Sequence, residues 1–527
     1  MARPGTDGRS PRRGLLGAAL CLLLLVGIGS VIYFRGRDRP IERPHGPGSP
    51  AGWPSPRPGN ILIVTIDTLR ADHMSAMGYP RPTTPHLDRW MARGTRFDWA
   101  FATASFTVPS HVSIFTGLDP SFTSTGLENG QKFALDTSYT TLAEMCSAAG
   151  MYTAAVVSSD TLMRKVGLDQ GFADYEDAIH WKRSADQVRG GLVSKGKQPA
   201  DIACTKAAVK IRKAGERPYF VWLHLMDPHG PYVPPPGWVE RVWGNSDAVA
   251  TGTGRQVPPP RSNRDSSGLR SIPYYQFTAT KGTDYDDYVR RYDAAIAFTD
   301  DELGKMLDEL EAQGKLRDTL VVITSDHGEA LGEDEFFFAH SQSVGVEQVR
   351  VPLAFIGPGV AAGRVITTPV SNMDIFATVC DALGLDGRTG RDSASLAGVL
   401  TASSSPAGRA AYFAAQSQRG VARDDRYYRR DRAAASDENF WKFNYNSGGP
   451  HRPCGEQFLE LPSGRPLAAV EGAEIKAALD AYWPRAEAAL VETPRNRLVN
   501  RSVQEKKALE NLGYLVDDDG DEKEKRR

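Results

Sequence analysis

Short β-branched apolar runs alternate along this chain with stretches of helical periodicity. Ile61-Leu62-Ile63-Val64-Thr65-Ile66 is apolar on both faces, the pattern of a strand covered on both sides in a parallel sheet. Three further runs share it: Tyr152 to Val157, Tyr219 to Leu225 and Leu320 to Thr324. The spacing predicts a helix around Leu142 and Cys146, stopped by Gly150, and another from Tyr288 to Leu310. Pro109, near the start of a further periodic stretch, reads as the first turn of a helix with Thr107 at its N-terminus. Strands alternating with helices predict an α/β fold, a central and mostly parallel sheet flanked by helices.

Outside that alternation the pattern changes. Gly14 to Phe34 is uncharged and apolar, and Arg3, Arg9, Arg12 and Arg13 precede it. At about 1.5 Å per residue it is long enough to cross about 30 Å of hydrocarbon. Residues 1–34 therefore read as an N-terminal signal anchor or signal peptide, the anchor favoured because the run is long and no A-x-A site follows it. Arginines flank both ends, so charge does not decide orientation, and Cys21 inside the run reads as apolar filler. Residues 35–59 read as a Pro-rich linker. The catalytic domain is placed at 60–385, with 236–285 as an insertion or lid. A smaller C-terminal subdomain is placed at 386–515, and 516–527 is read as a disordered charged tail. The resulting expectation is a membrane-anchored protein whose catalytic domain is extracytoplasmic, in a periplasm or at a cell surface.

Composition narrows the classes. With 527 residues, 41% hydrophobic and 24% charged, the chain is globular and long enough to bury a large core. A net charge of −1 gives no field to attract nucleic acid, and no such partner is expected. The five cysteines form no C-x-x-C, and Cys146 and Cys380 fall in apolar helical patterns as core residues.

The chemistry gathers where the predicted strands stop. Asp67 ends the first run, Asp227 and His229 follow the third, and Asp326 and His327 follow the fourth. Sheets of this kind place sites at the carboxyl ends of their strands, and carboxylates with imidazoles suit a divalent cation. Oxygen-rich ligation fits Ca2+, Mg2+ or Mn2+, while the histidines fit Zn2+. Thr107, at a helix N-terminus, is placed where an anion is favoured. Beside a metal its hydroxyl can lose a proton and attack, although an N-cap is its simpler reading. His224 lies within a strand and reads as a core histidine. Trp222, Trp238, Trp243, Tyr274 and Tyr275 could line a substrate cleft or simply pack.

Ser105 to Gly117 resembles the sulfatase signature C-x-P-S-R-x-x-L-L-T-G, matching at Pro109, Ser110, Thr116 and Gly117. Asn60 to Arg70 looks like that family's first metal-binding strand. Gly78-Tyr79 to Pro85, Asp326-His327-Gly328-Glu329, Arg350-Val351-Pro352 and Leu512-Gly513-Tyr514 are similar to further blocks, in family order. The resemblance, over about residues 60–515, implies the alkaline-phosphatase/sulfatase fold. Four positions depart from the sulfatase pattern. Thr107 stands where a Cys or Ser becomes formylglycine, and threonine cannot yield that aldehyde, so no formylglycine is expected. His111 replaces the arginine after Pro-Ser, Thr68 the second metal-binding Asp, and Ser158 the lysine of the second signature.

A threonine nucleophile resembles other branches of the superfamily. They are nucleotide pyrophosphatase/phosphodiesterases and the phosphoethanolamine and phosphoglycerol transferases. That carry-over implies a metal held by Asp67, Asp326 and His327 with Thr107. His229 and His111 are further catalytic candidates. Asp227 and His340 are additional metal ligands or contacts to the ester. Three functions stay open: a metal-dependent hydrolase cleaving a phosphate, phosphonate-type or sulfate ester through Thr107; a membrane-associated phosphoethanolamine/phosphoglycerol-type transferase; and an inactive sulfatase-like binding protein. The expected partner is an anionic ester of a glycan, lipid or small molecule.

Overall fold

The computed structural model describes residues 53, 56–123, 134–177, 197–244, 253–263, 265, 267–386, 391–401, 409–415, 418–431, 455–461 and 463–492. The predicted N-terminal run, most of the linker, part of the 236–285 segment and the charged tail lie outside them. Among the described residues no helix is long and apolar enough to cross a membrane.

Six strands come first in the chain: β1 (Asn60–Ile66), β2 (Thr95–Phe101), β3 (Tyr152–Val156), β4 (Asp174–Glu176), β5 (Tyr219–Leu225) and β6 (Thr319–Thr324). A short hairpin of β7 (Ala330–Leu331) and β8 (Phe337–Ala339) precedes β9 (Arg350–Ile356), β10 (Arg364–Ile366) and β11 (Val370–Ser371). The main sheet has nine strands in the order β10-β2-β9-β6-β1-β5-β3-β4, with β11 beside β2. β1 is central and parallel to both β5 and β6. β9 runs antiparallel to β2 and β6, so the sheet is mixed at that side. This was not evident in the sequence: β2, Thr-Arg-Phe-Asp-Trp-Ala-Phe, carries charges that break the apolar run.

Both faces of the sheet are covered, as the uninterrupted apolar strands required. The period of two divides each strand between two cores. Leu62, Val64 and Ile66, with Val221, Leu223 and Ile323, pack into one core with the helices Ala200–Ala214 and Tyr285–Ala312. Ile61, Ile63, Phe220, Trp222, Leu320 and Val322 pack into the other with the helices Thr107–Thr116, Leu142–Ala148 and Asp374–Leu383. Cys146 and Cys380 are buried in that second core.

A four-stranded antiparallel sheet of β12 (Ala410–Ala414), β13 (Gln418–Arg423), β14 (Arg426–Asp431) and β15 (Glu456–Glu460) forms the C-terminal part, with the helix Ala473–Glu492. The segment 236–285, read as non-periodic, contains two short helices, Trp238–Trp243 and Tyr274–Thr280. They pack against larger neighbours, so six or seven residues suffice without a long repeat.

Candidate active site

The parallel strands β1, β5 and β6 end side by side, and the chain leaves each with polar residues. After β1 the backbone turns sharply: Thr68 adopts φ 57, an unfavourable conformation for a β-branched residue. Three bonds hold the turn. The Thr68 amide donates to Asp326 Oδ1 (3.3 Å), the Leu69 amide to Ser325 Oγ (3.1 Å), and the Tyr292 hydroxyl to the Thr68 carbonyl (2.6 Å). The helix Thr107–Thr116 is fastened to the end of β6 by Ser110, whose hydroxyl donates to the Asp326 carbonyl at 2.6 Å, and Asn372 donates to Ser110 in turn.

These connections leave three ligand atoms facing one another. Asp326 Oδ1 accepts the Thr68 and His327 amides, while Oδ2 is buried without a hydrogen bond. Asp67 Oδ2 lies 3.3 Å from His224 Nε2, while Oδ1 is buried without one. His327 donates from Nδ1 to the Gly328 carbonyl (2.8 Å), which leaves the Nε2 lone pair inward. That nitrogen is 3.5 Å from Asp326 Oδ2 and 3.9 Å from Asp67 Oδ1. A divalent cation fits this set: two orphaned carboxylate oxygens and an imidazole oriented by a carbonyl, with all ligand atoms within 4.8 Å. Burial pushes the Asp67 carboxyl up to about 7, against His327 and a hydrogen bond from Thr107. A bound cation would reverse that shift.

Thr107, buried at the start of its helix, places Oγ1 3.3 Å from His327 Nε2. Behind it His111 uses both ring nitrogens on the protein. Nδ1 donates to the Thr107 carbonyl (2.8 Å), and Nε2 accepts from the Thr65 hydroxyl (3.0 Å), which itself accepts from Trp222 Nε1. Burial lowers the His111 pKa to about 3, so the ring is neutral. The structure thus gives His111 a place beneath the site, holding the nucleophile candidate. A second group, His111 with His224 and Asp326, also has close ligand atoms, but protein hydrogen bonds already occupy its imidazoles.

The remaining candidates are less tightly drawn in. Asp227 and His340 join no group of three close ligand atoms among the described residues. Asp227 is half-buried after β5. His340 is 3.0 Å from Glu329 Oε1, and its ring centroid lies 4.5 Å from that of His327. His229 stacks edge-on against His340 at 4.9 Å, and burial foremost holds its pKa well below the usual range. Burial lowers the His340 pKa to about 4 as well, so the pair faces His327 as neutral imidazoles.

Three contributors escaped the sequence reading. His224 bonds Asp67 instead of merely filling the core. It accepts from the Ser158 amide at Nδ1, which fixes its proton on Nε2 toward Asp67. Glu329 is fully buried and pushed up to about 8 by burial. Its place three residues beyond Asp326 was the available signal. Lys197 enters from the segment before Ala200–Ala214, and nothing in the local pattern marks it. Of the aromatic candidates, Trp222 is core, while Trp243 lines a cleft of about 280 Å³ with Tyr79, Tyr285, Arg290 and Glu333.

The sulfatase family profile matches residues 59–385. A sulfatase of Formosa agariphila is 25% identical over 373 residues, covering 64% of this chain and 71% of that protein. The choline-sulfatase of Rhizobium meliloti is 27% identical over 365 residues, covering 62% and 68%. The crystal structure of the phosphonate monoester hydrolase of Agrobacterium radiobacter shares the fold, with TM-score 0.58 at 20% identity over 82% of this chain and 96% of that one. The clustered strand ends, the alkaline-phosphatase/sulfatase-like architecture and a profile spanning more than half of the chain agree: this chain belongs to the sulfatase family.

Proposed function

We propose that this protein is a metal-dependent ester hydrolase that cleaves an anionic phosphate or phosphonate-type ester through Thr107. The observation that carries the reading is the Thr107 hydroxyl beside three inward ligand atoms, Asp67 Oδ1, Asp326 Oδ2 and His327 Nε2. Asp67, Asp326 and His327 would hold the divalent cation, which supplies charge that acidifies a nearby hydroxyl and offsets the ester oxygens.

The chain's own groups account for the rest. Asp67, hydrogen-bonded to Thr107, orients its hydroxyl, whose proton passes to solvent as the oxygen attacks. Thr107 Oγ1 attacks phosphorus, the bond to the leaving oxygen breaks, and a phosphothreonine forms. Water then attacks phosphorus and restores the hydroxyl. His111 holds the Thr107 carbonyl, and His224 aims Asp67. His229 keeps its one proton on the Gly230 carbonyl, so the hydrogen bond to the leaving oxygen falls to His340, whose Nδ1 faces Glu329. Threonine favours phosphorus over sulfur as the target. A sulfothreonine lacks the aldehyde hydrate from which formylglycine expels sulfate, whereas a phosphothreonine is opened by water at phosphorus.

The apolar run 14–34 is long enough to serve as a membrane anchor that carries the catalytic domain. The test is a panel of aryl phosphate, bis-aryl phosphate, aryl phosphonate and aryl sulfate, with several divalent metals and Thr107→Ala alongside. Turnover of a phospho-ester that disappears in Thr107→Ala supports the reading. Turnover of sulfate alone, or a fully active Thr107→Ala, sinks it.

A further inference from the structure

An anionic ester bound beside Asp67 and Asp326 meets two buried carboxylates, so its charge needs a cation from the protein as well as a bound metal. Two cations of the described residues reach this region. Arg70 is committed: its guanidinium bonds both oxygens of Asp72, Glu333 Oε1 at 2.8 Å and the Glu329 carbonyl at 3.1 Å. Lys197 is not. Its ammonium donates to the backbone carbonyls of His229 and Pro231, and among the described residues it forms no ion pair with a carboxylate. Two carbonyls use two of its three N–H donors.

The route by which Lys197 arrives is informative. Its backbone pairs antiparallel with Ser159, and the Gln198 amide donates to the Ser158 carbonyl at 3.1 Å. Ser158 itself is buried, and its hydroxyl has no hydrogen-bond partner among the described residues. Just beyond the end of β3, then, a lysine from another segment lies alongside a small buried side chain. Burial draws the Lys197 pKa down to about 8 while Asp227, Asp67 and Glu329 pull it up, so the side chain stays mostly cationic at neutral pH.

We propose that Lys197, reaching across Ser158 and Ser159 to the carbonyls of His229 and Pro231, is the substrate-binding residue that grips the anionic group of the ester. This rests on the reading that an anionic ester is cleaved at Thr107. The ammonium comes from the segment before Ala200–Ala214, whose backbone pairs beside the buried Ser158.

The test uses the full chain with whichever aryl ester the panel identifies. Lys197→Met should lower kcat/KM by about tenfold to 100-fold, mostly through KM, because a charge-assisted hydrogen bond to substrate is lost. Calorimetry with inorganic phosphate should show weakened binding in the same variant. Ser158→Lys placed in the Lys197→Met background should recover at least part of both, a rescue that a purely structural lysine would not permit. Lys197→Met with unchanged kcat/KM and unchanged phosphate affinity overturns the proposal, as does a loss that Ser158→Lys leaves untouched. If Lys197→Met does not fold, Lys197→Gln, which keeps donors for both carbonyls, replaces it. A failure of both to fold assigns Lys197 to the fold and also overturns the proposal. A fully active Thr107→Ala beside an impaired Lys197→Met would sink the threonine mechanism while leaving Lys197 as the anion-binding group.

Discussion

Thr107 Oγ1 lies 3.3 Å from His327 Nε2, and the two residues are 220 positions apart in the chain. One opens a helix and the other follows the end of β6, so only the packed sheet brings the hydroxyl to the imidazole. If that hydroxyl is the nucleophile, Thr107→Ala should lower kcat by about 1,000-fold or more, with the melting temperature little changed. Thr107→Ser, which keeps the oxygen, should retain measurable turnover. Steady-state kinetics on the two variants, with circular dichroism to check folding, decides this. Equal activities in Ala and Ser would remove Thr107 from the reaction.

Asp67 and Asp326 each present one buried oxygen without a hydrogen bond. Metal binding to the native state should therefore stabilise it, by about 3 kcal/mol at a free concentration 100 times Kd. Chelator should lower the melting temperature of the wild-type protein, and divalent cation should restore it. Asp67→Asn and Asp326→Asn should show little or no response. Thermal melts with a series of cations test this without any assay of activity. A double variant that responds as the wild type does would place the metal elsewhere.

His224 donates from Nε2 to Asp67 and accepts from the Ser158 amide. Replacing it by Phe preserves bulk but removes both bonds. Metal affinity or activity should fall by about tenfold to 100-fold, the usual consequence of losing a group that orients a ligand. Stability should fall by about 1–3 kcal/mol because the Ser158 amide is left unsatisfied. Metal titration and denaturant unfolding separate the two effects. An unchanged metal affinity would mean that His224 only packs.

Asp300 accepts the amides of His86 and Leu87 in the first turn of the helix Pro85–Met91, and burial pushes its pKa up to about 7. Its folded pKa exceeds the unfolded one near 3.8, so the folded state binds the proton more tightly. The resulting stability is fully present below about pH 4 and is lost as pH rises through about 7. Asp300→Asn keeps an acceptor oxygen and removes the buried charge. Its melting temperature relative to wild type should therefore rise between pH 5 and pH 8. A difference that stays flat or falls over that interval contradicts the assigned shift.

Sequence by itself determined the strands that carry the site and the residues that end them. Runs such as Ile61 to Ile66 and Tyr219 to Leu225 are apolar on both faces, and only a sheet covered on both sides buries such a run. Asp67, Asp326 and His327 were legible because polar groups at the ends of such strands are conspicuous. The helix beginning at Thr107 followed from Pro109 and the periodic positions beyond it. These are local properties, written within about ten consecutive residues.

Tertiary structure decided what depends on distant pairs. β9 lies antiparallel between β2 and β6, a choice made by packing partners and not by the strand's own pattern. Asp227 and His340 have the right chemistry for ligands, and among the described residues they join neither group of three close ligand atoms. His224 carries an ordinary core pattern, and only the neighbouring strand shows that its Nε2 meets Asp67. Lys197 has no local mark at all. Its ammonium reaches the site because a segment outside the main sheet pairs with Ser159, a contact between residues 38 positions apart. Local patterning sets where a strand ends and what chemistry stands there. The distances between those ends are set by the register and packing of the whole sheet, which no single stretch of sequence contains.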